Sequence, residues 1–85
     1  MADGNRPKDP ASVASRARER LAKAKRVEAE AHRRAAELHE QTAELQQHLG
    51  HDAEAQAARA RAARAHDLHD LALIELAGWE TPADS

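Results

Sequence analysis

The stretch Leu49-Gly50-His51-Asp52 interrupts a sequence that favours helix on both sides of it. Gly50 suits the left-handed position just past a helix C-terminus, where a Cβ atom is penalised. Asp52 suits the N-cap of a following helix, and Glu54 falls in its first turn, where negative charge is favoured. Two helices joined by so short a loop must turn back on each other. The sequence therefore predicts an all-α fold, an antiparallel helical hairpin.

Breakers and caps set the expected ends of the two helices. Asp9-Pro10 is a typical N-cap followed by a first helical residue, and no breaker follows before Gly50. Gly78 is expected at the C′ position of the second helix, with Trp79 packing back as in a Schellman motif. The expected organisation is a disordered lead-in at 1–10, a hairpin domain at 11–79 with helices at about 11–49 and 53–77, and a flexible tail at 80–85.

The composition predicts a thin core. The chain has 85 residues, of which 22 are alanine, one is aromatic and 13 are larger apolar side chains. Burying a large apolar side chain contributes roughly 1.5–3 kcal/mol, whereas ordering each residue costs about 1.5 kcal/mol. A lone hairpin with this inventory is marginal. We therefore expect a homo-oligomer, with a dimer forming a four-helix bundle favoured, or docking on another helical protein.

Several functional classes have little support in the sequence. There is no cysteine, hence no disulfide, thiol nucleophile or Cys-type zinc site. No run approaches the roughly 18 apolar residues of a membrane span, and the first ten residues lack the apolar core of a secretory signal. We expect a cytoplasmic protein without a cofactor, and the excess of Ala and Arg over Lys suggests a high-GC bacterial genome. Two helices enclose no water-excluding pocket, so catalysis is not expected.

The first helix carries two lines of apolar or small residues. The line expected to face the second helix has members three or four residues apart. It comprises Ala17, Leu21, Ala24, Ala31, Ala35, Leu38, Leu45 and Leu49. A neighbouring line repeats every seven residues and comprises Ala22, Ala29, Ala36 and Ala43. A helix with two such lines can be approached from two directions, as in a bundle.

The second helix has one clear apolar face and an end that is apolar all round. The face comprises Ala55, Ala58, Ala62, Ala65, Ala72 and Leu76. One neighbour cannot cover the segment 71–77, which is a sign of an interface. The expected interface residues are Leu21, Leu38, Leu45, Leu68, Leu71, Leu73, Ile74, Leu76 and Trp79.

In the predicted hairpin, residues that lie opposite each other on the two helices have numbers that sum to about 101. We call such residues level, and several level pairs carry charges of opposite sign. The pairs expected on this register are Glu40–Arg61, Glu37–Arg64, Arg34–Asp67 and Arg26–Glu75. Such surface pairs are worth well under about 1 kcal/mol, so we interpret them as control of orientation and register. The same register leaves residues 11–23 projecting beyond the second helix.

That projecting segment is basic, and this raises a nucleic-acid hypothesis. Residues 1–34 carry a net charge of +5 and residues 35–85 carry −7. Phosphate contacts would come from Arg16, Arg18, Arg20, Lys23, Lys25 and Arg26. These side chains point all around the helix, no aromatic platform accompanies them, and the net charge of the chain is −2. Nucleic-acid binding is therefore an alternative to the interaction module.

Six histidines suggest a third possibility. His32 and His69 come level in the hairpin, and Glu28 lies one turn before His32, so Glu28, His32 and His69 are the candidate ligands of a metal. The Glu-x-x-His repeat of di-metal bundles is missing. A pH-responsive interface is the other version of this hypothesis, because charged imidazoles would disfavour assembly.

The turn Leu49-Gly50-His51-Asp52-Ala53-Glu54-Ala55 resembles the inter-helix turn of tetratricopeptide repeats, with small residues following at helical spacing. The resemblance covers about 30 residues and lacks the aromatic and proline positions of that repeat. It implies a helix-pair unit used for protein–protein interaction.

Overall fold

A computed structural model describes residues 10–80 of the chain. It contains α1, Pro10–His48, and α2, Asp52–Glu80, packed against each other. The predicted all-α helical hairpin is therefore confirmed. The expected lead-in and tail lie outside the described residues, apart from Pro10 and Glu80, which are helical.

The reversal occurs at Gly50, as predicted. Its φ of 81° is the one left-handed backbone conformation among residues 10–80. The amide of Gly50 donates to the carbonyl of Gln47 (3.0 Å), and the amide of His51 donates to that of Gln46 (2.8 Å). These two bonds are the Schellman pattern, which satisfies carbonyl groups left over at the end of α1. The ring of His51 adds a bond between Nδ1 and Oε1 of Gln46 (2.7 Å).

The start of α2 lies one residue earlier than the caps predicted. The amide of Ala55 donates to the carbonyl of His51 (2.9 Å), so His51 occupies the N-cap position. Asp52 and Glu54 both lie in the first turn of the helix. Asp52 therefore acts on α2 through its charge at the positive end of the helix, and the prediction that it is the cap residue was wrong.

The end of α2 lies beyond the predicted stop at residue 77. Gly78 and Trp79 are helical, and Gly78 does not take the left-handed conformation. The predicted Schellman motif at Gly78 was therefore wrong. Glycine inside a helix costs about 1 kcal/mol relative to alanine. Continuation of the helix keeps Trp79 seven residues after the buried Ala72, on the line of α2 that faces α1.

The two helices meet along alanine. We call the following residues the alanine seam: Ala22, Ala29, Ala36 and Ala43 of α1, and Ala55, Ala58, Ala62, Ala65 and Ala72 of α2, all of which are buried. Leu76 is the one large apolar side chain among residues 10–80 that is buried with them. The predicted apolar face of α2 is thus confirmed in every member.

The line of α1 that was expected to face α2 was the wrong one. Leu21, Leu38, Leu45 and Leu49 of that line are each more than half exposed. The line that faces α2 alternates buried alanines with partly exposed residues that have polar heads and apolar stems, namely Lys25, His32, His39 and Gln46. This three–four alternation follows the heptad pattern of a coiled coil.

Candidate interaction surface

Two cross-helix contacts define the two sides of the hairpin. Nζ of Lys25 donates to Oε2 of Glu28 on its own helix (2.7 Å) and to Oε1 of Glu75 on α2 (3.4 Å). Closer to the turn, Oε1 of Glu40 on α1 lies 2.5 Å from Nε2 of His66 on α2. The first contact brings two carboxylates to one side of the seam, and the second joins the helices on the other side.

Steps of seven residues keep a side chain on the same side of a two-helix coiled coil. Leu21 and Leu49 are separated from Glu28 by multiples of seven, and Leu68 lies seven residues before Glu75. These leucines therefore share the side marked by Lys25. Leu73 lies seven residues after His66 and belongs to the other side.

Exposed apolar residues of both helices share the side marked by Lys25, on or beside the seven-residue lines of Glu28 and Glu75. We call them the outer apolar face. Its members are Leu21, Ala24, Ala31, Leu38, Leu45 and Leu49 of α1 and Leu68 and Leu71 of α2, all of them exposed. An open groove on α1 beside this face is lined by Val27, Ala31, Ala35 and Leu38 and by four charged residues, Lys23, Arg26, Glu30 and Arg34. Clustered exposed apolar side chains of this kind are typical of a protein interaction site.

An ordinary core buries large apolar side chains, whereas this hairpin buries alanines and leaves most of its large apolar side chains exposed. Eleven large apolar side chains within residues 10–80 are between 39% and 68% exposed, whereas ten residues, nine of them alanine, are buried. The hairpin has therefore used its smallest apolar side chains for its own packing. Most of its available hydrophobic stabilisation is left on the surface.

The predicted interface residues fall into three groups. Leu21, Leu38, Leu45, Leu68 and Leu71 lie on the outer apolar face. Leu73 lies on the side of His66, and Ile74, 68% exposed, points away from α1. Leu76 is buried in the hairpin, and Trp79 lies at the seam with Nζ of Lys25 5.6 Å from its ring centroid. Sequence spacing alone could not separate these groups, because the segment 71–77 is apolar on nearly every face.

Among residues 10–80, the structure forms none of the expected inter-helix pairs Glu40–Arg61, Glu37–Arg64 and Arg34–Asp67. Oε1 of Glu75 accepts from Lys25, and Glu40 pairs with His66. Glu37 accepts from Arg33 on its own helix, and Arg34 reaches Glu30 one turn earlier. Pairs three or four residues apart on one helix need less ordering than pairs that span two helices. The two ion pairs between the helices, Lys25–Glu75 and Glu40–His66, have residue numbers that sum to 100 and 106, on either side of the predicted value of about 101.

The strongest electrostatic effect lies on α1. Arg33 bonds Glu30 through both Nε and Nη2, and it also bonds Glu37. These bonds hold the pKa of Glu30 at about 2, well below the usual value for a glutamate. The bond from Lys25 likewise lowers the pKa of Glu28. The Glu30 carboxylate therefore stays charged well into the acidic range.

The predicted metal ligands are not gathered into a site. Among residues 10–80, no three His, Asp or Glu side chains cluster in a way that could hold a metal ion. His32 and His69 are both partly buried at the seam, and Glu28 binds Lys25. His69 lies on the line of α2 that faces α1.

The basic side chains proposed for phosphate binding lie mainly beyond the end of α2. Residues 10–21 of α1 are exposed except Ser12, and the first buried residue is Ala22. Arg16, Arg18, Arg20 and Lys23 are exposed on this projecting segment, and Arg26 is exposed just beyond it. Lys25 is instead partly buried against Glu28, Glu75 and Trp79. The described helices contain no segment long and apolar enough to cross a membrane.

Comparison with known proteins found no relative that could indicate the role of this surface. No family model matches the chain, and no curated protein or solved structure is significantly similar to it. The resemblance of the turn to tetratricopeptide repeats therefore has no support from a family match.

Proposed function

We propose that this chain is a non-enzymatic helical-hairpin interaction module that associates with itself through the outer apolar face. The single observation that carries the proposal is the inversion of the core: alanine packs inside the hairpin, while six of the seven exposed leucines of residues 10–80 lie on the outer apolar face. Covering that side removes large apolar side chains from water. Each contributes roughly 1.5–3 kcal/mol when fully buried.

Charge and chain geometry fit the same proposal. The outer apolar face carries Glu28, Lys25 and Glu75 beside its leucines, and because the three are bonded to one another the ammonium group offsets one of the two carboxylate charges. The exposed α1 segment at 10–21 is too short to be stable as an isolated helix in water. Contact with a second molecule would stabilise it.

The test is sedimentation velocity of the full chain from about 1 to 200 μM. We expect a dimer that dissociates on dilution. Leu71→Asp should shift the protein to monomer, because it places a charge at the centre of the outer apolar face. Leu73→Asp is the matched control, since Leu73 is exposed to a similar degree on the other side and should leave the dimer intact. A monomer at every concentration refutes self-association, and dissociation by Leu73→Asp alone refutes the assigned face.

A further inference from the structure

We infer that the occupant of the outer apolar face is a second copy of this chain, docked antiparallel about a two-fold axis level with Ala35 and Leu68. The inference rests on the proposed function and adds the orientation and register of the complex. The numbers of Ala35 and Leu68 sum to 103, between the sums of 100 and 106 of the two ion pairs that join the helices, so we place the axis at these residues of both helices. In this arrangement α1 packs on α1 and α2 packs on α2.

Side-chain size is self-complementary about that axis. Residues of two antiparallel α1 helices come level when their numbers sum to about 70. Leu21 then meets Leu49 of the second copy. Ala24 meets Leu45 of the second copy, and Ala31 meets Leu38 of the second copy. In the last two of these contacts a small residue lies opposite a large one, which suits a well-packed core, and a two-fold interface repeats each contact twice.

Charge on α2 is self-complementary about the same axis. Residues of two antiparallel α2 helices come level when their numbers sum to about 136. Leu68 then meets its own counterpart. Arg61 meets Glu75 of the second copy, and the same pair recurs on the other side of the axis. A parallel arrangement would place Arg61 beside Arg61 and Glu75 beside Glu75, which is destabilising.

The ends of the hairpin are also complementary. The projecting segment holds Arg16, Arg18, Arg20 and Lys23 against Glu19, whereas the turn region 44–54 holds Glu44, Asp52 and Glu54 and contains neither Lys nor Arg. The antiparallel complex lays the basic projecting segment of each copy over the acidic turn of the other. This covers the part of α1 that α2 does not reach.

A charge exchange tests the register. Arg61→Glu and Glu75→Arg should each weaken the dimer about tenfold or more, because each turns two attractive pairs into two repulsive ones. The double variant should restore the dissociation constant to within about threefold of wild type. Arg61 and Glu75 of one chain are 14 residues apart on α2, about 21 Å. Restoration can therefore arise only between copies.

Cysteine cross-linking gives a second test that needs no loss of stability, since the chain contains no cysteine of its own. Under mild oxidation Leu68→Cys should form a disulfide dimer, whereas Leu21→Cys should not. A mixture of Leu21→Cys and Leu49→Cys should give the mixed dimer, because their Cα atoms come within disulfide range only across an antiparallel pair.

The outcomes separate the two proposals. If the double variant associates no better than the single variants, or if Leu21→Cys cross-links with itself, the antiparallel register is overturned. Self-association of the wild-type chain is then left in place. A wild-type chain that stays monomeric at 200 μM overturns both. Restoration together with the mixed disulfide supports the register.

Discussion

Lys25 on α1 reaches Glu75 on α2 with Nζ 3.4 Å from Oε1, and this contact marks the apolar side of the hairpin. The same ammonium group bonds Glu28 and lies over the ring of Trp79. One side chain therefore joins the end of α2 to α1. It also offsets one of the two carboxylate charges on the face on which we propose that a second copy docks.

The first prediction concerns the alanine seam. Ala36→Leu should lower the free energy of unfolding by about 1–3 kcal/mol, because Ala36 is 0% exposed and a larger side chain would force the helices apart. Ala31→Leu is the matched control on the same helix. Ala31 is exposed, so its substitution should not destabilise the hairpin. Urea denaturation followed by circular dichroism measures both, and equal losses would contradict the assigned seam.

The second prediction compares two glycines. Gly50→Ala should cost about 1–2 kcal/mol, because φ is 81° there and alanine in this conformation is strained. Gly78→Ala should stabilise the protein by about 0.5–1 kcal/mol, since Gly78 lies within α2 and its added Cβ meets nothing within 4 Å. Thermal unfolding of each variant checks the signs. A stabilising Gly50→Ala would argue against the turn.

The third prediction concerns Leu76. Leu76→Ala should destabilise the hairpin by about 2–3 kcal/mol, because Leu76 is 7% exposed. Ile74→Ala removes a similar volume from a side chain that is 68% exposed, so its cost should be well under half of that. The two free energies of unfolding should be measured at a concentration where the chain is monomeric. A larger loss for Ile74→Ala would show that the burial has been assigned to the wrong face.

The fourth prediction concerns pH. Arg33 holds the pKa of Glu30 at about 2, below its ordinary value of 4.5. Because the folded pKa is the lower one, the stability from this pair is complete above about pH 4.5 and is lost as the pH falls towards 2. Arg33→Gln should move the Glu30 midpoint upward, towards 4.5. Carbon-detected NMR titration of the Glu30 carboxyl group follows this, and an unchanged midpoint would exclude the Arg33 bonds as the cause.

Local sequence was sufficient for several features. The turn at Gly50, the two helices and every member of the apolar face of α2 were predicted from capping chemistry and from three–four spacing. These features depend on a few neighbouring residues, such as the glycine that alone tolerates a positive φ. The stop at Gly78 was predicted by the same reasoning and was wrong, since a glycine within a helix is compatible with continuation when the residues beyond it lie against a neighbouring helix.

The sequence by itself determined that the chain reverses once and that α2 presents alanines to α1. Only the tertiary structure decided which of the two lines on α1 receives them, and hence that the leucines face outward. Both lines have helical spacing, so periodicity cannot choose between them. The choice depends on how closely the two helices can approach, and the line of alanines lets them pack without leucine side chains between them. That packing energy exists only once the helices are together.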